Sequence, residues 1–196
     1  TVAGMKPVAA GSADGVQHED VRQLRAASNV LASGGQINPY CFVQAVAPLL
    51  AAQFVGFCIY FTLIVESFSE LNAQADVVIV EGAGGFRVPL NEEQDSADLA
   101  VQLGLPVILV VGMRLGCLNH ALLTVEAIAA RGLTLAGWVA NVPEAGMAML
   151  NENIAALQQR IHAPLLGIVP HLEQPDAREA ASFLNLASLE QMDVHD

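Results

Sequence analysis

Four short runs of Val, Ile and Leu constrain the fold more than any other feature of this sequence. They occupy residues 77–80, 107–111, 133–139 and 165–169 and begin roughly thirty residues apart. Such an interval holds one strand, one helix and two turns, and a run that is apolar throughout is typical of a parallel strand buried on both faces. The spacing therefore predicts an α/β fold with a mostly parallel sheet and helices on both of its faces.

Helical patterns fill the intervals between these runs. Residues 118–130 carry the clearest one, which ends before Gly132, a residue able to take a positive φ, and residues 151–161 carry another. Residues 1–8 predict a further strand that stops at Lys6-Pro7, because proline cannot continue a ladder. The last stretch, residues 173–196, mixes proline, acidic and apolar residues and is interpreted as a covering tail.

The composition indicates an ordinary globular domain. The chain has 196 residues, of which 54% are apolar and 14% charged, and we expect residues 1–196 to form a single domain. A net charge of −12 has the wrong sign for a surface that binds phosphodiester backbones, which argues against nucleic-acid binding. The three cysteines lack C-x-x-C spacing, so we expect neither a disulfide framework nor a zinc site. Without a pattern for export, the predicted location is cytoplasmic.

One long segment carries no charge at all. It runs from Ala26 to Val65, and residues 46–65 are numerous enough to cross a bilayer. Pro48, Gln53 and Gly56 interrupt this stretch, and no cluster of Lys or Arg flanks it. A membrane span stays an alternative, but we favour a helix hairpin that is buried or faces a second subunit.

Polar residues follow several of the predicted strands. In open parallel sheets, ligands bind outside the carboxyl ends of the strands. In this chain those ends carry Lys6, Glu81 with the glycine-rich turn 82–85, Asn141, and Pro170. A glycine-rich turn lets backbone N–H groups approach an anionic ligand closely, so we expect an anion site at this edge.

Lys6 and Glu81 each have a functional and a structural interpretation. Lys6 is the only lysine in the sequence, and it either stabilises an anion or is an ordinary strand-end cation with its head in water. Glu81 is either a magnesium ligand or a carboxylate that accepts N–H bonds from the following loop.

Asp20 and Asn141 have structural alternatives too. Asp20 lies where a helix is predicted to begin, and helix capping is the favoured interpretation for it from the residues alone. Asn141 precedes Val142-Pro143, and its structural alternative is the start of a turn. No G-x-x-x-x-G-K-S/T, G-x-G-x-x-G, G-x-S-x-G or H-E-x-x-H motif occurs in these 196 residues.

Taken together, the segments of the chain resemble the dethiobiotin synthetase family of ATP-dependent ligases. The matching segments are residues 4–11 (GMKPVAAG), 37–40 (INPY), 80–85 (VEGAGG), 88–90 (VPL), 105–112 (LPVILVVG), 115–121 (LGCLNHA), 133–141 (LTLAGWVAN) and 163–167 (APLLG). They follow the family's order and cover nearly the whole chain.

This resemblance implies a P-loop-type α/β fold, a homodimer, and a reaction. The reaction joins 7,8-diaminononanoate and CO₂ into the cyclic urea of dethiobiotin through a carbamate and a carbamyl phosphate, and it consumes ATP. Carried over by motif, Lys6 is the catalytic residue, and Asp20 and Glu81 hold Mg²⁺. Ser12, Gly82, Ala83, Gly84 and Gly85 border the substrate, and Asn141 and Pro170 belong to the nucleotide site.

The sequence also departs from the family pattern. Family members begin with a strand and a phosphate loop ahead of the strand that opens this chain, so we expect an N-terminally truncated form. Residues 54–65 are apolar where the family has a charged amphipathic helix, and Leu49 stands where a histidine is common. The alternative function is therefore a catalytically silent homologue that acts only as a dimer partner or remnant. A cobyrinate amidotransferase-like ligase would need a glutaminase domain, which 196 residues cannot hold.

Overall fold

The computed structural model describes residues 1–13 and 17–189. The strands are β1 Val2–Met5, β2 Val8–Ala10, β3 Tyr40–Phe42, β4 Val77–Val80, β5 Val107–Gly112, β6 Leu135–Asn141 and β7 Leu165–Val169. The helices are α1 Glu19–Ala27, α2 Gly34–Ile37, α3 Pro48–Phe54, α4 Phe61–Asn72, α5 Ser96–Leu103, α6 Cys117–Ala130, α7 Leu150–Gln158 and α8 Ala177–Ser182. The chain divides into two compact units at Leu103/Gly104.

The first unit, residues 1–103, contains two parallel strand pairs. Strand β1 pairs with β4 in a register that places Met5 opposite Val80, and β2 pairs with β3. Parallel pairing brings the carboxyl ends of β1 and β4 side by side, so the residues that follow them, Lys6 and Glu81, come from neighbouring strands.

The core of the first unit packs around β1. Its fully buried side chains include Met5, Ile59, Ile64 and Leu71. Helix α1 lies very close to β1 at Gly4, because a Cβ built on that glycine would be 2.9 Å from Leu24 Cβ. A residue without a side chain is therefore what lets the helix approach the strand.

The second unit, from residue 104 onward, is built on a three-stranded parallel sheet. The strand order is β5-β6-β7, and Gly112, Asn141 and Val169 stand next to one another at its carboxyl edge. Trp138 on β6 is fully buried, in a cluster with residues of α6 and α7 that include Cys117 and Leu157.

The predicted βα pattern is confirmed. All four apolar runs are strands, every named strand pair is parallel, and the helices predicted at 118–130 and 151–161 are α6 and α7. The strand predicted over residues 1–8 is instead two strands separated by Lys6-Pro7, because proline has no N–H to donate to a ladder.

The expectation that these strands are buried on both faces is wrong for β4 and β5. Alternate residues are exposed, by 48% at Val77 and 49% at Ile79 on β4, and by 40% at Ile108 and 61% at Val110 on β5. A run of apolar β-branched residues indicates a strand, but burial of its second face depends on whether another element packs against that face. In the described residues only one face of each of these strands is covered.

Residues 46–65 of the uncharged segment contain α3 and the start of α4, joined by a loop. Ala51, Ala52 and Ile64 are buried, while Phe54 and Phe57 are exposed. Within the described ranges, no helix is both long and apolar enough to cross a membrane. The two helices pack on different elements, α3 on β2 and β3 and α4 on α2, α5 and β4, so the favoured helix hairpin does not form. Each helix still has a buried face, and a role toward a second subunit stays a prediction.

The predicted tail contacts β7 as far as it is described. Leu184 forms a β-bridge with Gly167, and Asn185 N–H donates to Leu166 O at 2.7 Å. Residues 190–196 of that tail lie outside the described residues. The three cysteines, Cys41, Cys58 and Cys117, are free thiols in the structure. That the whole chain is a single domain stays a prediction.

Candidate functional site

Lys6 occupies the break between β1 and β2, and its backbone is fixed there on both sides. Its N–H donates to Ile37 O at 2.8 Å, and its carbonyl accepts from Asn38 Nδ2 at 2.6 Å. The same Asn38 nitrogen donates to Tyr40 O at 2.9 Å. The end of α2 therefore holds the position from which the lysine side chain extends.

The Lys6 ammonium lies between two carboxylates. Lys6 Nζ is 2.7 Å from Asp20 Oδ2 and 2.7 Å from Glu81 Oε1, and it is 3.4 Å from the carbonyl oxygen of Gly82. Only 6% of the side chain is exposed. The alternative that placed this cation with its head in water is therefore wrong, since the ammonium is buried and paired.

Asp20 reaches Lys6 from the first turn of α1. His18, and not Asp20, caps this helix: its Nδ1 accepts a hydrogen bond from Asp20 N at 3.2 Å. The capping interpretation favoured for Asp20 is therefore wrong, because its carboxylate pairs with the Lys6 ammonium. An acidic residue here also interacts favourably with the helix dipole.

Glu81 arrives directly after β4. Its N–H donates to Met5 O at 2.8 Å, which continues the parallel pairing of β1 and β4 by one residue. Its carboxylate accepts from Lys6 Nζ and not, as the structural alternative held, from the following loop.

The glycine-rich turn 82–85 starts at this cluster. Gly84 has φ +78°, and a Cβ there would lie 3.2 Å from Val88 Cγ2. The turn is thus built on a backbone conformation that favours glycine. Its exposed Gly82, Gly84 and Gly85 leave the backbone open to a ligand.

The charges around Lys6 control its ionisation. Burial of the ammonium by itself lowers the pKa, but hydrogen bonds to Asp20 and Glu81 and the attraction of both carboxylates outweigh it. The pKa of Lys6 is therefore raised from its ordinary value of 10.5, so the side chain is a cation throughout the physiological range.

This raised pKa predicts a loss of stability in alkaline solution. Charged Lys6 stabilises the folded protein, and this contribution is complete below 10.5, the pKa of Lys6 in the unfolded chain. It is lost as the pH rises through the higher pKa of Lys6 in the folded protein. We expect the free energy of unfolding, measured by urea titration on both sides of pH 10.5, to fall more steeply in the wild type than in Lys6→Met. Equal pH dependence in the two proteins would contradict the assignment of this effect to Lys6.

Ser12 is buried in the loop that leads toward α1. Its Oγ donates to Gln17 O at 3.1 Å, and its N–H, like that of Gly11, donates to Phe42 O at 3.0 Å. These bonds anchor the loop to the end of β3. The structure thus explains Ser12 as a loop anchor, and the predicted contact with substrate stays a prediction.

The two carboxylates have the chemistry of a magnesium site that is completed by other ligands. Across residues 1–13 and 17–189, no group of three or more His, Cys, Asp and Glu side chains converges as a metal cage would require. Mg²⁺ is commonly bound through one or two carboxylates together with phosphates and water. Asp20 and Glu81, which meet at one ammonium, fit that mode of binding.

The predicted nucleotide-site residues belong to the second unit. Asn141 is the last residue of β6 and pairs with Val169, the last residue of β7. Pro170 directly follows Val169. Beyond these strand ends, His171 Nδ1 lies 3.0 Å from Pro143 O, so the two following loops are tied together. The structure therefore brings Asn141 and Pro170 to the same edge of one sheet.

Two residues of the Lys6 cluster, His18 and Asn38, were not predicted from the sequence. Both act through the backbone, His18 on Asp20 N and Asn38 on Lys6 O. For His18 a signal was present, because it stands immediately before the predicted helix. Histidine is not among the preferred capping residues, which is why the pattern did not single it out.

Comparisons with known proteins agree with this architecture. A family model described as "AAA domain" matches residues 1–179. The chain is 58% identical over 186 residues to the ATP-dependent dethiobiotin synthetase BioD of Aromatoleum aromaticum, a match that covers 93% of this chain and 83% of that protein. It is 53% identical over 190 residues to the protein of the same name from Ralstonia nicotianae, with 95% and 83% covered. The resemblance drawn from the motifs is confirmed, and the chain belongs to the dethiobiotin synthetase family.

Proposed function

We propose that this protein is an ATP-dependent ligase that closes the cyclic urea of dethiobiotin from 7,8-diaminononanoate and CO₂. The observation that carries this proposal is the buried Lys6 ammonium, held between Asp20 and Glu81 beside a glycine-rich turn. It is supported by relatives named for this activity that are 58% and 53% identical to the chain.

The proposed reaction has three steps. An amine nitrogen of the substrate forms a bond to the carbon of CO₂ and loses a proton, which gives a carbamate. A carbamate oxygen then attacks the γ-phosphorus of ATP, the bond between that phosphorus and the β,γ-bridging oxygen breaks, and ADP leaves. The second amine attacks the carbonyl carbon of the carbamyl phosphate, phosphate leaves with the bonding electrons, and loss of the amine proton completes the urea.

Lys6 stabilises negative charge in these steps. Its Nζ is protonated, because the two carboxylates raise its pKa, so it donates hydrogen bonds and does not act as a base. A fixed ammonium stabilises charge on a carbamate or a transferring phosphoryl group more than solvent does, because it does not have to reorient during the reaction. The small exposed fraction of the Lys6 side chain, 6%, supports this role.

Asp20 and Glu81 would hold Mg²⁺, which neutralises charge on the phosphates when it is bound. In the protein itself the same two carboxylates keep Lys6 protonated and fix the direction of its side chain. We place Gly82, Ala83, Gly84, Gly85 and Ser12 next to the substrate, and Asn141 and Pro170 next to the adenine nucleotide. A homodimer in the cytoplasm completes the proposal.

The test is a product assay with the purified full-length protein. It is incubated with 7,8-diaminononanoate, ¹³C-bicarbonate, Mg²⁺ and ATP, and we expect ¹³C-labelled dethiobiotin by mass spectrometry together with an equal amount of ADP. Omission of the diamine controls for idle ATP hydrolysis. Glu81→Gln, which keeps the shape of the side chain without its charge, should lose most of the product. ADP release without labelled urea, or no release at all, would overturn the proposal.

A further inference from the structure

We infer that His18 is a positioning residue, whose imidazole holds the first turn of α1 so that the Asp20 carboxylate meets the Lys6 ammonium. This inference rests on the proposed function, because it concerns the same cluster. His18 lies two residues before Asp20, at the end of the loop from β2. It is not among the residues to which the family motifs assign a role.

Successive contacts link three residues, from His18 to Asp20 and from Asp20 to Lys6. His18 Nδ1 accepts from Asp20 N at 3.2 Å and lies 3.4 Å from Asp20 Oδ2, and that oxygen is 2.7 Å from Lys6 Nζ. One ring nitrogen therefore holds the backbone of the residue whose carboxylate pairs with Lys6. In this arrangement the imidazole nitrogen takes the place that a side-chain oxygen of Asn or Ser has at other helix starts.

Asp20 needs such support, because its carboxylate is 38% exposed and stands in the first turn of a helix. The first N–H groups of a helix have no partner within it, so an uncapped first turn frays. Fraying would move the Asp20 backbone and release the carboxylate from Lys6. Val21, buried against Ala9 and Ile37, and Leu24, close to Gly4, hold the body of α1 in place, but neither apolar side chain offers an acceptor to the N–H groups of the first turn.

A histidine at position 18 also suits the negative charge of the neighbouring Glu19 and Asp20. Asp is a stronger capping residue in general, but here it would add a third carboxylate next to Glu19 and Asp20. That charge would compete for the Lys6 ammonium or repel an anionic ligand. Histidine supplies the acceptor at this position without adding a carboxylate.

The experiment compares His18→Ala with His18→Asn in the full-length protein. Asn keeps a neutral acceptor at the capping position, whereas Ala has none. We expect His18→Ala to lower kcat about tenfold, the equivalent of a cap worth about 1.4 kcal/mol, and His18→Asn to restore most of that loss. Asp176→Ala is the matched control, since it removes the cap of α8, where Asp176 accepts from Arg178 N and Glu179 N. It should lower Tm and leave kcat unchanged.

A second measurement does not depend on turnover. With ¹³Cε-labelled lysine, the Lys6 signal is identified by its disappearance in Lys6→Arg. An ammonium held by two carboxylates should show two distinct Hε resonances in the wild type and in His18→Asn, and one averaged resonance in His18→Ala. If His18→Ala does not fold, His18→Gly takes its place, because Gly is tolerated as a cap although it lacks the side-chain acceptor.

The outcomes separate the inference from the proposed function. If the wild type makes no dethiobiotin, the proposed function fails, while the lysine spectrum still tests the inference. If His18→Ala lowers only Tm, and its kcat and Lys6 signal match the wild type, then His18 is a structural cap and the inference is wrong. It is also wrong if His18→Asn is as impaired in kcat as His18→Ala.

Discussion

Lys6→Met is expected to lower the rate of dethiobiotin formation by at least about a hundredfold. Methionine keeps most of the length and apolar contact of the lysine side chain but removes the charge that lies between Asp20 and Glu81. Removal of one preorganised donor to developing negative charge commonly costs a factor of about 10² to 10³ in kcat. Measurement of kcat and KM for the diamine, with Tm for both proteins, checks this expectation.

Arg25→Met is the matched control for this substitution. Arg25 is an exposed cation in the last turn of α1, so its replacement changes the net charge of the protein by the same amount. We expect its kcat to stay within about twofold of the wild type, since an exposed charge is screened by solvent and salt. A Lys6→Met protein that folds and turns over at the wild-type rate would remove Lys6 from the mechanism.

The sequence predicted the positions of the strands better than their surroundings. The runs at 77–80 and 165–169 match β4 and β7 residue for residue, because short apolar runs that contain Val and Ile fit the pleated, half-buried surface of a strand. The exposed Val77, Ile79 and Val110 could not be foreseen, since coverage of a strand depends on distant parts of the chain. The residues of a segment determine its preference for a strand, whereas its burial depends on the assembled fold.

The same distinction applies to the site. The rule that ligands bind at the carboxyl ends of parallel strands brought Lys6 and Glu81 together in the prediction, and the pairing of β1 with β4 explains why it succeeded. The contact of Asp20 with Lys6 was harder to predict, because the local sequence pattern favoured helix capping for this residue. Only the approach of α1 to β1 shows that its carboxylate faces Lys6.

Gly4→Ala is expected to damage both the fold and the site. The added Cβ would lie 2.9 Å from Leu24 Cβ and 2.9 Å from Leu24 Cδ2, which is closer than side-chain atoms pack. The end of Leu24 can rotate away, but its Cβ moves only with the helix, so α1 must shift outward from β1. Overpacking of this kind typically costs about 1–3 kcal/mol in the free energy of unfolding.

The shift of α1 has a second consequence, because the same helix carries Asp20. We expect Gly4→Ala to lower kcat as well as stability, and hydrogen exchange to become faster across α1 while α4 keeps its protection. Gly34→Ala is the control, since a Cβ on Gly34 meets nothing within 4 Å. That substitution should leave kcat unchanged and stability equal or slightly higher, because Ala is a better helix former than Gly. If Gly4→Ala lost stability but kept its full kcat, then the Asp20 carboxylate would keep its contact with Lys6 although the helix had shifted. The close contact between α1 and β1 would then contribute to folding only.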